Sequence, residues 1–317
     1  MLKQYILKKV IISLAFLFSI MLIYVTPTNE FQFKTELNYI ENNSVSAIYL
    51  MDANNYIALT KIKTKNKKVE DKARELLNAL IKDGEGEEDI PSGFKSFISS
   101  DTKINAIKYE SGTIKVDFSS ELLDTKKEYE EKIIEAIVYT LTSIDGVFKV
   151  IIYVDGDILS RLPKSGINLP STLDKSYGIN KEYSVNSYKD VNKVTTYYVA
   201  KYNNESYYVP VTKYINDSRE KIKIIIDNLS SSNVSNTNLM SYLNSNTVLL
   251  SSDIEDEFMK LAFNQYIFND LSTKNILEEV IYTISLSVEA NYDVKEVIFD
   301  VNNEEIYKSV IKSTWII

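Results

Sequence analysis

The sequence predicts an α+β protein in which two tandem copies of one small fold follow an N-terminal transmembrane segment. In each copy we expect a small mixed sheet with two helices on one face, in the order β-β-α-β-β-α-β. Two observations predict this class. Four sequence patterns recur in the same order in the two halves of the 317-residue chain, and in each half runs of strand patterns alternate with two helical patterns. The repeat distance of 143 to 149 residues indicates a duplicated domain rather than a solenoid repeat of about 20–50 residues.

The recurring patterns are short and drift slightly in spacing. They are VEDKARELLNAL at 69–80 with SREKIKIIIDNL at 218–229, KVDFSSELL at 115–123 with KLAFNQYIF at 260–268, IVYTL at 137–141 with VIYTI at 280–284, and KVIIYVDG at 149–156 with EVIFDVNN at 296–303. Tyr49 in the first strand corresponds to Tyr198. Insertions and deletions in loops explain a drift of a few residues between two copies of a domain.

The first copy is predicted to span 46–157. Its elements are strands at 46–51 and 56–62, a helix at 69–80, a hairpin at 103–110 and 113–119, a helix ending at Leu141 and a closing strand at 147–156. The first helix is predicted because its apolar residues recur at the spacing of one helix face. Thr125 and Glu128 have the spacing of a capping box, which predicts the start of the second helix.

The second copy is predicted to span 195–317 and to repeat this order. Its elements are strands at 194–202 and 206–214, a helix carrying Ile222 to Leu229, strands at 247–252 and 257–263, a helix carrying Ile276 to Ile284 and a strand at 294–301. Residues 158–194 are rich in Ser, Asn and Lys and contain two prolines, which predicts a linker. A linker of this length rarely lacks structure, so we expect part of it to pack on a domain.

The N-terminus carries the pattern of an export signal. Residues 10–25 are uncharged and follow three lysines, Lys3, Lys8 and Lys9. This pattern predicts a cytoplasmic tip and transmembrane signal anchor over 1–28, a stalk over 29–45, and an extracytoplasmic location for 30–317. A cleaved signal peptide is the alternative, although no Ala-x-Ala-like site follows the apolar run.

Composition excludes several kinds of chemistry. The chain has no cysteine and no histidine, so a thiolate metal site, a cysteine nucleophile and a Ser-His-Asp triad are all absent. The net charge is −8 overall and −11 over 30–317. A negative field repels phosphate backbones, so we expect no nucleic-acid binding. The sequence predicts no catalytic residue, no cofactor and no metal site.

Three acidic motifs are candidate sites. Asp155-Gly156-Asp157 resembles part of a cation loop, but the matching Asn302-Asn303 favours a turn. The acidic stretch at 83–89 is interpreted as a solvated loop, with a weak cation or a basic partner as the alternative. Asp117 lies on a hairpin strand and has no carboxylate partner at a spacing that predicts a hydrolase.

Aromatic residues form a further candidate surface. The second copy has tyrosines at Tyr197, Tyr198, Tyr202, Tyr207, Tyr208 and Tyr214. Tyrosine is favoured in strands and also at interfaces, so either strand packing or a partner-binding sheet explains the cluster. Trp315, the single tryptophan, is expected either to pack on the second copy or to reach a partner.

The first copy resembles the GerMN domain family. The resemblance lies in IPSG at 90–93, KVDFSSEL at 115–122, EAIVYTLTSIDGV at 135–147 and VIIYVDG at 150–156. The second copy keeps the helix and strand patterns but lacks the Pro-Ser-Gly loop and the Asp-Gly turns. The resemblance implies an exported sporulation or germination protein built from small α+β modules similar to ring-building modules of secretion machines. It implies no catalytic residues.

These observations predict a membrane-anchored, extracytoplasmic protein-interaction or assembly module without enzymatic activity. Its expected partners are envelope or sporulation proteins, with the membrane as a further contact through the anchor, and self-association into a homo-oligomer is a further expectation. The alternative is a cell-wall ligand-binding protein or a carboxylate-dependent hydrolase with its site between the two domains, for which Asp117 is the candidate carboxylate. A third hypothesis is a purely structural stalk.

Overall fold

The computed structural model describes residues 45–231 and 238–310. The expected anchor at 1–28, nearly all of the expected stalk and Trp315 lie outside these residues. Within the described ranges, no helix combines the length and the apolar character that a membrane crossing needs.

The first copy has the element order that the sequence predicts. Its elements are β1 (Val45–Asp52), β2 (Ile57–Lys63), α1 (Val69–Leu80), β3 (Phe94–Lys95), β4 (Ile104–Glu110), β5 (Thr113–Phe118), α2 (Lys127–Leu141), β6 (Lys149–Val154) and β7 (Asp157–Ile158). The short strands β3 and β7 are additions. The apolar spacing places α1 at the predicted residues, with Ala73, Leu76, Leu77 and Leu80 buried.

The second copy repeats this order after a short strand in the connecting segment. The elements are β8 (Glu182–Ser184), β9 (Val191–Tyr202), β10 (Glu205–Asn216), α3 (Lys221–Ser230), β11 (Leu249–Glu255), β12 (Phe258–Phe263), α4 (Glu278–Asn291), β13 (Glu296–Val301) and β14 (Glu304–Val310). The hairpin strands β9 and β10 have 12 residues each, which is longer than β1 and β2.

Each copy contains a four-stranded mixed sheet. The order is β4-β5-β6-β7 in the first copy and β11-β12-β13-β14 in the second. The central pairs β5–β6 and β12–β13 are parallel, and the outer pairs are antiparallel. The helix that precedes each closing strand supplies the crossover that a parallel pair requires.

The first hairpin of each copy departs from the predicted arrangement of one sheet per copy. The hairpins β1–β2 and β9–β10 belong to one six-stranded sheet, together with β3 and β8. The two copies therefore share a sheet, which we call the shared sheet. An exposed hairpin edge favours pairing with another strand, and here each hairpin offers its edge to the other.

The connecting segment is part of the fold. Five of its aliphatic residues are buried in the core of the first copy: Leu159, Leu162, Leu169, Leu173 and Ile179. A separate small cluster, Tyr197, Val199, Tyr208, Tyr282 and Leu286, fills the space at the shared sheet. All described residues belong to one compact unit, so the two copies are not independent lobes on a flexible tether.

Two equivalent hydrogen bonds, one in each copy, correct the repeat alignment. The backbone N–H of Tyr49 donates to Thr140 Oγ1 at 3.0 Å, and the backbone N–H of Tyr197 donates to Ser287 Oγ at 2.8 Å. Tyr197 rather than Tyr198 therefore occupies the position of Tyr49, and Ser287 that of Thr140. The matched patterns at 137–141 and 280–284 are one helical turn out of register, because residues four apart lie on the same helix face.

Candidate functional site

Of the three acidic motifs, two form turns and the third, Asp117 on β5, holds one of those turns. Asp155 and Gly156 have φ values of 50° and 87°, as a tight hairpin turn between β6 and β7 requires. Asp117 accepts the N–H of Gly156 at 3.0 Å, so its carboxylate fixes this turn. Asn302 and Asn303 have φ values of 57° and 62° at the matching place, which confirms the turn interpretation.

The acidic stretch at 83–89 is also local structure. The N–H of Asp83 donates to a carboxylate oxygen of Glu87 at 2.7 Å, and Glu87–Asp89 form a single 3-10 turn. Within 45–231 and 238–310, no three His, Cys, Asp or Glu side chains are grouped so that they could hold a metal ion.

Several of the clustered tyrosines join the two copies. The hydroxyls of Tyr49 and Tyr197 are 2.7 Å apart and buried. Tyr207 donates its hydroxyl hydrogen to Asp52 at 2.8 Å, and Asp52 is fully buried at the turn of the first hairpin. Tyr198 and Tyr208 are buried as well, with side-chain exposures below 5%. Strand packing, within the second copy or between the copies, therefore explains Tyr197, Tyr198, Tyr207 and Tyr208.

The backbones of the two hairpins pair as strands at a single position. Leu59 of β2 pairs with Tyr208 of β10, and the strands separate on both sides of this pair. Because N–H and C=O groups of alternate residues in an antiparallel strand face the same edge, Ile57 and Pro210 would form the next pair. Pro210 has no N–H to donate, so this pair cannot form in full.

The side chain of Asn180 fills this first gap. Its carboxamide nitrogen donates to Ile57 O at 2.7 Å and to Pro210 O at 2.8 Å. Its carboxamide oxygen accepts the N–H of Ile57 at 2.9 Å. Beyond it, β8 runs parallel to β10, with Glu182 opposite Lys213. The connecting segment thus completes the sheet edge on this side.

A buried carboxylate holds Asn180 in place. The backbone N–H of Asn180 donates to Glu135 Oε2 at 2.9 Å, and Lys181 Nζ lies 3.8 Å from the other oxygen of Glu135. Burial raises the pKa of Glu135 to about 7, against the opposing effect of Lys181. Lys181 also pairs with Glu131 at 2.7 Å, so its charge is shared between two carboxylates of α2.

The second gap, on the other side of the Leu59–Tyr208 pair, is a cavity of about 580 Å³. We call it the sheet cavity. It is lined by Leu59, Thr60 and Lys61 of β2, by Tyr202, Glu205, Ser206, Tyr207 and Tyr208 of the second hairpin, by Pro91 and Ser92 of the loop before β3, by Phe94 of β3, and by Glu278, Glu279, Tyr282 and Leu286 of α4. Its volume is that of a typical ligand pocket.

The charges of the sheet cavity are unequal. Three carboxylates line it, from Glu205, Glu278 and Glu279, against one ammonium, from Lys61. Lys61 Nζ is buried and has no hydrogen-bond partner among the described residues, and burial lowers its pKa to about 8. A buried amine without an acceptor costs free energy that a bound acceptor would recover.

The Pro-Ser-Gly loop of the first copy helps to build the cavity. Gly93 has a φ of +94°, and a Cβ atom there would lie 2.6 Å from the ring of Tyr202. The loop therefore needs glycine both for its backbone conformation and for its approach to the second hairpin. The neighbouring Phe94 packs edge-on against Tyr207 with ring centroids 4.9 Å apart.

Sequence reasoning did not find Asn180 or Lys61. The signals were present but weak: Pro210 interrupts a strand pattern, and Asn180 follows shortly after Gly178 in a segment that reads as linker. Asn180 bonds to Ile57, 123 positions before it, and Lys61 shares a cavity with residues of the second hairpin that are more than 100 positions after it. The motif at 90–93, which carries part of the family resemblance, lies beside this region, with Pro91 and Ser92 lining the cavity.

The fold and the cavity define a tandem-domain protein whose two similar α+β units are joined by one sheet. Residues 47–160 and 195–307 match the family described as Germane: Sporulation and spore germination. The chain belongs to this family, which confirms the resemblance that the sequence suggested.

The chain is similar to GerM of Bacillus subtilis in both sequence and structure. The spore germination protein GerM of Bacillus subtilis (strain 168) is 33% identical over 262 residues, which cover 81% of this chain and 71% of GerM. The solved structure of the tandem GerMN domains of the sporulation protein GerM from Bacillus subtilis matches with a TM-score of 0.74 at 32% identity, over 82% of this chain and 91% of that one. The tandem arrangement is therefore shared with GerM.

Proposed function

We propose that this chain is a membrane-anchored, extracytoplasmic docking protein that acts in sporulation or germination and has no enzymatic activity of its own. The observation that carries the proposal is the shared sheet. It fixes the two copies relative to each other through the Leu59–Tyr208 pair and the buried Tyr49–Tyr197 hydroxyl contact. A rigid pair of similar units suits a protein that holds partners at a set spacing.

Exposed apolar side chains support the docking role. Val248, Leu250 and Ile254, on and beside the edge strand β11, are 51%, 62% and 53% exposed. Edge strands with uncovered apolar residues are sites where other chains add. A protein that only spaced other parts apart would gain nothing from such a surface.

The test is recovery of partners from the native host. The full chain with an affinity tag, crosslinked in membranes of sporulating cells, is expected to recover envelope or sporulation proteins. A Leu250→Glu variant should recover fewer of them, whereas Glu255→Gln on the same strand serves as the control. Recovery of no envelope protein by the unchanged chain would refute the docking proposal.

Anchoring and the biological process need separate measurements. We expect the full chain in the membrane fraction, with 30–317 accessible to protease from outside the cytoplasm, and a chain without 1–28 in the soluble fraction. Deletion of the gene should lower the yield of heat-resistant spores or slow their germination. Normal sporulation and germination would contradict the assigned process.

A second candidate function is binding of a cell-wall glycan in the sheet cavity. Its five aromatic side chains and its carboxylates are of a kind that also binds sugars. Asp117 does not line this cavity, so the hydrolytic form of the hypothesis has no support from its position. Binding of soluble wall fragments to the full chain, weakened by Tyr202→Ala, would favour this candidate.

A further inference from the structure

The two gaps beside the Leu59–Tyr208 pair offer equivalent backbone edges. The C=O and N–H of Ile57 face the first gap, because both bond to Asn180. Alternation along the strand directs the same groups of Leu59 and Lys61 toward β10. The C=O of Pro210 also bonds to Asn180 and therefore faces β2. By the same alternation, the N–H and C=O groups of Tyr208 and Ser206 face β2 as well.

One of these gaps is filled and the other is open. Asn180 and β8 occupy the first gap, and β8 adds to the edge of β10 as a parallel strand. At the second gap, Lys61 and Ser206 both line the sheet cavity, and neither edge has a further strand partner there among the described residues. The chain's own β8 thus shows that an extended segment can be added along this edge of β10.

The side chains around the open gap select a basic segment. Glu205, Glu278 and Glu279 give the cavity an acidic excess. Glu278 and Glu279 of α4 line the cavity together with Tyr208, and burial together with these two carboxylates raises the pKa of that tyrosine. Carboxylates beside aromatic faces bind guanidinium and ammonium groups by ion pairing and cation–π contact.

Lys61 complements this selection. Its buried Nζ lacks an acceptor, and a peptide offers carbonyl oxygens along its whole length. A segment that runs between β2 and β10 could therefore accept from Lys61 with its backbone while its basic side chain meets the carboxylates.

We propose that the sheet cavity binds an extended segment of a partner protein that carries an arginine or lysine side chain, with strand-like pairing to the free edges at Lys61 and Ser206. Affinity in such an arrangement comes from main-chain hydrogen bonds, and specificity comes from side-chain pockets. This inference rests on the proposed docking function and specifies which kind of partner segment is bound.

The test uses the full chain in detergent and a fluorescein-labelled, end-capped heptapeptide of alternating valine and arginine. The expected result is saturable binding that weakens as salt is raised. The same peptide with glutamate in place of arginine should bind at least about tenfold more weakly. Equal binding of the two peptides, or binding of neither, would overturn the proposal.

Charge-matched variants locate the site. The double variant Glu278→Gln, Glu279→Gln should weaken binding of the arginine peptide by about tenfold or more. The control Asp253→Asn, Glu255→Gln removes the same charge from β11, outside the cavity, and should leave binding unchanged. Thermal unfolding of both variants checks the fold. If the two double variants weaken binding equally, the peptide is attracted only by the net negative charge of the protein, and the proposal is overturned.

Other occupants give different results. Binding of chitotetraose or a soluble muropeptide without binding of the arginine peptide would assign the cavity to glycan instead. Peptide binding that appears only after removal of 311–317 would identify the chain's own C-terminal segment as the occupant. Failure of the peptide together with successful recovery of partners from membranes would leave the docking function in place at another surface.

Discussion

At the scale of single residues, Asn180 supplies with a side chain what the backbone of Pro210 cannot. The carboxamide has a donor and an acceptor in the geometry of a peptide group, so it bonds to Ile57 in both directions and also to Pro210. Its φ of 45° lies in the left-handed region that asparagine tolerates better than most residues. A proline in a paired strand and an asparagine in a nearby turn therefore act as one unit.

Replacing Asn180 should destabilise the whole protein. Asn180→Ala leaves the C=O and N–H of Ile57 without partners, and we expect the free energy of unfolding to fall by about 2–4 kcal/mol. The exposed Asn168 of the same segment provides the control, because Asn168→Ala should change stability by less than about 0.5 kcal/mol. Urea denaturation of the full chain followed by circular dichroism measures both. Similar small losses in the two variants would show that the Asn180 bonds are not important for stability.

The carboxyl group of Glu135 makes stability depend on pH. Its folded-state pKa of about 7 lies above the ordinary 4.5 because of burial. A raised carboxyl pKa means that folding favours the protonated form. The contribution to stability is therefore complete below about pH 4.5 and is lost as pH rises to about 7.

Glu135→Gln should remove this dependence. Glutamine keeps an acceptor for the N–H of Asn180 but cannot ionise, so the variant should be more stable than the natural protein at pH 8. The difference is expected to shrink as pH falls toward 5. Thermal unfolding from pH 5 to 8 provides the measurement, with the exposed Glu128→Gln as control. A pH profile that is the same in the natural protein and in Glu135→Gln would contradict this assignment.

At the scale of elements, the sequence predicts those helices and strands that are determined by the spacing of nearby residues. The spacing of apolar residues predicts α1 at 69–80, where the structure has it, and the strand patterns at 103–110 and 113–119 predict the hairpin of β4 and β5. The capping box at Thr125 and Glu128 is not formed, because α2 begins at Lys127 and its N-cap, Lys126, makes no side-chain cap bond. Local spacing alone therefore identified the helix but not how it begins.

The shared sheet could not be predicted from local patterns. The pairing of β2 with β10 depends on one residue pair, Leu59 and Tyr208, 149 positions apart. The alternation of apolar and polar residues in a strand predicts which face is buried, but it does not predict which edge pairs with another strand. The alignment of the two crossover helices could not be predicted from local patterns either. Thr140 and Ser287 are equivalent because each accepts a hydrogen bond from the corresponding strand, and their residue types differ.

The loop before β3 gives a test at this scale. Gly93→Ala adds a Cβ atom 2.6 Å from the Tyr202 ring at a φ of +94°, so it combines backbone strain with a clash. Gly156→Ala is the matched control, because its φ of +87° carries a similar strain while the space around it is open. We expect Gly93→Ala to cost about 1–3 kcal/mol more than Gly156→Ala. Equal losses by chemical denaturation would show that Tyr202 moves aside freely.

At the scale of the whole molecule, contacts of several kinds cross between the copies. Lys175 of the connecting segment pairs with Glu289 of α4 at 2.8 Å, and its backbone oxygen accepts from the Tyr139 hydroxyl of α2 at 3.0 Å. Tyr49 and Tyr197 meet nearby. Removing either copy would leave buried polar groups of the other without partners, which is costly. The two copies and the connecting segment therefore form one compact unit.

Cooperative unfolding is the consequence that can be measured. Leu77 of α1 is fully buried in the core of the first copy, and Leu77→Ala should cost about 2–5 kcal/mol. Hydrogen exchange of the slowest amides reports the free energy of the opening that exposes them. If the copies unfold together, this free energy should fall by the same amount for α4, in the second copy, as for α1. The exposed Asp71→Ala on the same helix is the control and should leave both helices unchanged. Protection of α4 that stays at its natural level in Leu77→Ala would show that the two copies unfold separately and that the shared sheet does not couple them.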